Sequence, residues 1–108
     1  MSSFDFSRMM KQAQALSGQM QQIQEELKRR TAEATVGGGM VRAVVNGKLE
    51  LLKLEIDPQA VDPRDVRMLQ DLVVAAVNQA MTRAQELAQQ EMARAVGLPP
   101  FGGGGPHA

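Results

Sequence analysis

The sequence predicts an α+β subunit in the order α-β-β-β-α, with two long helices and a three-stranded antiparallel sheet. Three observations predict it. An apolar heptad repeat spans residues 5–30, an Asn-Gly pair separates two apolar runs near the middle, and a wide apolar arc recurs between residues 63 and 95. A chain of 108 residues suits one domain. That domain is set at residues 1–96, and the Gly- and Pro-rich residues 97–108 are expected to form a disordered tail.

The first helix is expected over residues 5–30. Phe6, Ala13, Met20 and Leu27 recur every seven residues, and Met9, Leu16 and Ile23 recur every seven between them. That is an a/d seam sustained over three heptads. Gln, Lys, Arg and Glu fill the intervening positions and favour helix. Ser3 or Asp5 is a suitable cap at its start. Gly18 is its one weak position, costing about 1 kcal/mol against Ala.

Residues 31–56 change character. Thr31 to Val36 are small or β-branched, Gly37-Gly38-Gly39 breaks the chain, and Met40–Val45 and Lys48–Ile56 flank Asn46-Gly47. Asn-Gly between apolar runs predicts a two-residue hairpin turn with positive φ at both positions. Such a turn sets Val45 opposite Lys48, Ala43 opposite Glu50, and Val41 opposite Leu52. One face then carries Val41, Ala43, Val45, Leu52, Leu54 and Ile56 as core. The other face includes Leu49 and Leu51, which are too apolar to be left to water and call for a partner's cover.

Asp57-Pro58 and Asp62-Pro63 each read as an N-cap followed by Pro at the first helical position. The first opens a single turn, the second the last helix, which runs to about Ala95. Its apolar arc, from Val66 through Ala76, Ala80 and Ala84 to Ala88, is wider than one seam and implies burial on two sides. Gly97 ends it. The last helix is longer than the strands can cover, so the two helices are expected to project beyond the sheet as an antiparallel pair, and a homodimer is expected to cover what the sheet leaves open.

Composition narrows the function. Three Phe with no Tyr or Trp imply an aliphatic core, and eight Met are available to fill its gaps. The absence of Cys removes disulfides and thiolate chemistry and suits a soluble protein of the reducing cytoplasm. No secretion signal and no membrane-length apolar run is evident. The lone His107 lies in the tail, the serines have no His partner, and Gly37–Gly39 lacks the Lys-Ser/Thr of a phosphate loop. Asp57 and Asp62 are explained as caps, and Glu25, Glu26, Glu86 and Glu91 as solvated helix surface. The expectation is therefore no enzyme, no cofactor, no metal and no small-molecule substrate.

Basic residues remain. The net charge is zero, yet residues 1–54 carry +3 and residues 55–108 carry −3. Arg8 and Lys11 near the start of the first helix, Lys28, Arg29 and Arg30 at its end, Arg42 and Lys53 on one strand face, and Arg83 and Arg94 on the last helix are all side chains that could neutralise phosphates without reading bases. With antiparallel helices, Arg8 and Lys11 are expected beside Arg94 at the free tips, and Lys28–Arg30 near the sheet.

The ordered set of motifs resembles the YbaB/EbfC family of bacterial nucleoid-associated proteins. Met9-Met10-Lys11-Gln12-Ala13-Gln14 opens the match, and Met20 to Leu27 continues it. Gly38 to Gly47, Glu55-Ile56-Asp57-Pro58, Met68 to Ala80 and Leu98-Pro99-Pro100 complete it. The resemblance implies a tweezer-shaped homodimer that grips double-stranded DNA with projecting helices and resides in the nucleoid, in an architectural or gene-regulatory role. Mapped onto this sequence, that grip points to Arg8, Lys11, Arg83 and Arg94, with Arg42 as a further contact. The alternative reading of the residues is an adaptor whose helices clasp another protein in a Met-lined cleft.

Overall fold

The computed structural model describes residues 3–97. The order is α1 (Ser3–Arg29), β1 (Thr31–Val36), β2 (Val41–Asn46), β3 (Leu51–Ile56), a single 3-10 turn (Pro58–Ala60) and α2 (Val66–Ala95). The strands form one antiparallel sheet in the order β1-β2-β3. The expected fold class and element order are present. Leu98 to Ala108, most of the expected tail, lie outside the described residues.

Between β1 and β2, Gly37, Gly38 and Gly39 all take positive φ, at 65°, 66° and 100°. Three consecutive residues in that region demand glycine. Asp57 caps the 3-10 turn as expected, accepting from the Gln59 N–H at 2.8 Å. The start of α2 differs from expectation. Asp62 instead accepts from the Arg64 N–H at 2.9 Å, closing a turn around Pro63. The helix begins at Val66, and Asp65 caps it by accepting from the Met68 N–H at 3.1 Å. Pro63 thus serves the second position of a turn, which its locked φ also suits.

The β2–β3 hairpin is a second departure. Leu49, at φ 64°, is the left-handed residue, while neither Asn46 nor Gly47 has positive φ. Leu49 N–H donates to the Asn46 carbonyl at 2.9 Å, and Asn46 N–H donates to the Glu50 carbonyl at 3.0 Å. The loop therefore holds three residues, a turn followed by a left-handed bulge position. The pairing slides by four residues: Val41 faces Ile56, Ala43 faces Leu54, and a bulge falls between Val44 and Val45. An even slide keeps Leu54 and Ile56 on the expected face.

That face is only partly core. α2 lies across β1 and β2, and not across β3. Ala34, Val41, Ala43 and Val45 pack against Ala76, Ala80 and Ala84, all essentially fully buried. Small side chains on both sides let helix and sheet approach closely. Leu52, Leu54 and Ile56, expected in the core, remain 37–53% exposed. The largest fully buried side chains are Val41, Val45 and Asn46. The radius of gyration is 20.5 Å, against about 13 Å for a compact chain near this length.

Candidate nucleic-acid interface

The site is built from the junction that aims α1. Gly47 N–H donates to the Leu27 carbonyl at 2.8 Å and the Arg30 carbonyl at 3.0 Å, taking up carbonyls that the helix end leaves open. A side chain at Gly47 would sit 2.9 Å from the Leu27 carbonyl oxygen. Asn46, 1% exposed, accepts from the Lys48 and Glu50 N–H groups and donates to Glu50 Oε1 and the Lys28 carbonyl. The Asn-Gly pair is therefore a clasp between hairpin and helix. Lys28–Arg30 do fall beside the sheet, as expected, and the clasp brings the backbones of Lys28 and Lys48 together.

A second fastening lies at the end of α2. Glu91 is 7% exposed and is held by Arg30 Nη1 at 2.6 Å and by Arg94 Nη2 at 3.1 Å. Burial pushes its carboxyl pKa up, but hydrogen bonds from Arg30 and Arg94 outweigh this and leave it below the ordinary glutamate value. The expectation that Glu91 lies on a solvated face is overturned. Its partner Arg30 is 61 positions away, so no local pattern marks it. Gln19 Nε2 donates to the Ala95 carbonyl at 2.9 Å, level with the last residue of α2.

Those contacts place the candidates. α1 runs on past the end of α2, and its residues from Asp5 to Gln22 are exposed. Arg8 and Lys11 stand on this projecting stretch. Arg94 does not join them, because it lies with Arg30 and Glu91 beside the base of α1. Lys11 alone is about 12 Å further along the helix than Gln19. The expected pair of projecting helices is thus one projecting helix per subunit, because α2 ends level with Gln19 while α1 continues.

Arg42 lies on the sheet face away from α2, joined to Glu33 on β1 and to Glu55 on β3 at 2.5 Å. The hydrogen bond from Arg42, then the charge of Lys53, hold the Glu55 carboxyl below its ordinary value. With Lys53, the two cations and two carboxylates on this face balance. Arg83 Nη1 donates to the Glu33 carbonyl at 2.6 Å, tying α2 to β1. The structure therefore brings the five candidates into three separate places: the projecting helix, the sheet and its α2 tie, and the base of α1. A cleft of about 540 Å³ between α1 and the end of α2 is lined by Glu25, Glu26 and Glu91 as well as Arg29, a poor place for phosphate.

Among the described residues, no helix is long and apolar enough to cross a membrane. A family model described as the YbaB/EbfC DNA-binding family matches residues 1–98. A nucleoid-associated protein of Pelotomaculum thermopropionicum is 50% identical over 93 residues, 86% of this chain and 89% of that one. One of Moorella thermoacetica is 49% identical over 100 residues, covering 90% and 96%. An uncharacterised protein of Helicobacter pylori has the same fold, with a TM-score of 0.72 at 24% identity, covering 84% of this chain and 96% of that one.

Proposed function

The chain belongs to the YbaB/EbfC DNA-binding family, and from that premise we propose that it is a non-enzymatic, homodimeric nucleoid protein that binds double-stranded DNA mainly through phosphate contacts. Its role is architectural or gene-regulatory. The observation that carries this reading is the projecting, solvent-exposed stretch of α1 bearing Arg8 and Lys11. A rod that stands clear of the body can lie along a duplex, and long cationic side chains on it reach phosphates without reading bases. Arg42, Arg83 and Arg94 contribute from the body, where their carboxylate and carbonyl partners also set their positions. Lys28 and Lys48, whose backbones meet at the Asn46 clasp, add further charge to the body.

The surface that one subunit leaves open supports the dimer. Leu51, Leu52, Leu54 and Ile56 on the edge strand, with Val66 and Val74 on α2, are 37–58% exposed. Pairing with a second copy covers this surface and the strand edge together.

Fluorescence anisotropy of a labelled duplex at low and at physiological salt tests the reading. Binding that weakens steeply with salt and varies little with sequence is expected. No binding at tens of micromolar even in low salt overturns it.

A further inference from the structure

The projecting stretch of α1 carries an apolar stripe that its own subunit does not use. Phe6, Met9, Leu16 and Met20 are 61%, 54%, 60% and 41% exposed. They continue the heptad seam of Ile23 and Leu27, which are 5% and 6% exposed. One seam is therefore dry at its C-terminal end and open over its N-terminal half. α2 stops level with Gln19, so no described element of the subunit covers the seam before that point.

Phosphate does not suit this stripe, which offers no donors. Arg8 and Lys11 fall at heptad positions c and f, turned away from it. The positions that flank the seam are informative. Between residues 10 and 24 they hold Met10, Gln12, Ser17, Gln19 and Gln24, without a charge. Charges at those positions ordinarily select a coiled-coil partner and repel the wrong one. Uncharged flanks place no like charges opposite each other when the seam meets an identical seam.

We propose that the open half of the α1 seam is a docking surface for the same seam of a second copy of this chain, and that it joins one pair of subunits to another. The helices overlap antiparallel, which keeps the two bodies at opposite ends of the overlap. Arg8 and Lys11 remain on the outside of the joined helices. The surface is distinct from that around β3, and the inference does not depend on DNA binding.

Sedimentation equilibrium without DNA, from about 1 to about 100 µM, tests it on the full chain and on Leu16→Glu. Leu16 is exposed within the subunit, so far-UV circular dichroism is expected to be unchanged by the substitution. The natural chain should exceed two chain masses at the upper concentrations, while Leu16→Glu stops at two. The dissociation constant of that step should rise at least about tenfold. Met9→Gln is a milder second variant with the same expected direction. High salt should leave the association intact, since apolar contact is not screened. Equal masses for the natural chain and both variants at every concentration would overturn the proposal, whatever the DNA titration shows.

Discussion

Glu91 is where one side chain decides the most. Its carboxylate is buried, and it is tolerated only because Arg30 and Arg94 meet it from two directions. Glu91→Gln removes the charge and keeps the shape, and is expected to cost about 1.5–3 kcal/mol, the worth of a hydrogen bond to a charged group. The native carboxyl titrates below its ordinary value of 4.5, so unfolding in acid takes up a proton. Stability from the clamp is thus complete above about pH 4.5 and lost as pH falls through the native value. Thermal melts between about pH 6 and 3 should show a shallower acid loss for Glu91→Gln than for the natural chain. An identical slope would mean that Glu91 is not held as described. Gly47 is the other sensitive residue. A Cβ there meets the Leu27 carbonyl oxygen at 2.9 Å, and that backbone atom cannot withdraw without moving the end of α1. Gly47→Ala should cost about 1–3 kcal/mol in denaturant unfolding, as overpacking does.

At the scale of elements, α1 divides into an anchored and a free part. The anchored part, from about Gln19 to Arg29, is held by the hairpin clasp and by the end of α2. The free part is exposed along its described length, so burial does little to compensate for weak helix formers. Gly18 lies there with open space around its missing Cβ, so Gly18→Ala should raise stability by up to about 1 kcal/mol. The same free part is the expected DNA contact. Replacing Arg8 and Lys11 together with Ala removes two phosphate contacts per subunit, four from the proposed homodimer, and should flatten the salt dependence of log K by about three to four. Unchanged affinity and salt slope would move the contact to the body of the molecule, towards Lys28 and Lys48. The edge strand β3 is anchored on one side only. It is held by β2 along its length, but no helix covers it.

For the molecule as a whole, much of the apolar side-chain surface lies outside the core. Its fully buried core is alanine and valine, while many of its larger apolar side chains lie at the surface. Burial of about 25 cal/mol per Å² stabilises only what is removed from water, so these surfaces favour association. Leu54→Asp places a charge in the middle of the β3 surface. It should shift the subunit pair towards single chains of 11.7 kDa in sedimentation. A pair that persists unweakened would locate the interface elsewhere.

The sequence by itself determined the elements. The heptad repeat marked α1, small and β-branched runs with glycine breaks marked the strands, and Gly97 marked the end of α2. These signals are local, because helix period, turn residues and caps act over a few positions. The family was legible too, from the order of its segments. Tertiary structure alone decided the rest. Asn46-Gly47 reads locally as a two-residue turn, but the open carbonyls at the end of α1 recruit it as a clasp and the register slides by four. Leu52, Leu54 and Ile56 read as core, but α2 is committed to β1 and β2, where alanines permit close approach. Arg94 reads as a tip residue, but the Arg30–Glu91 pair and the Gln19–Ala95 hydrogen bond set the end of α2 at the base of α1. In each case a contact between residues far apart in the chain outweighs the local preference, and no spacing within a short window can encode it.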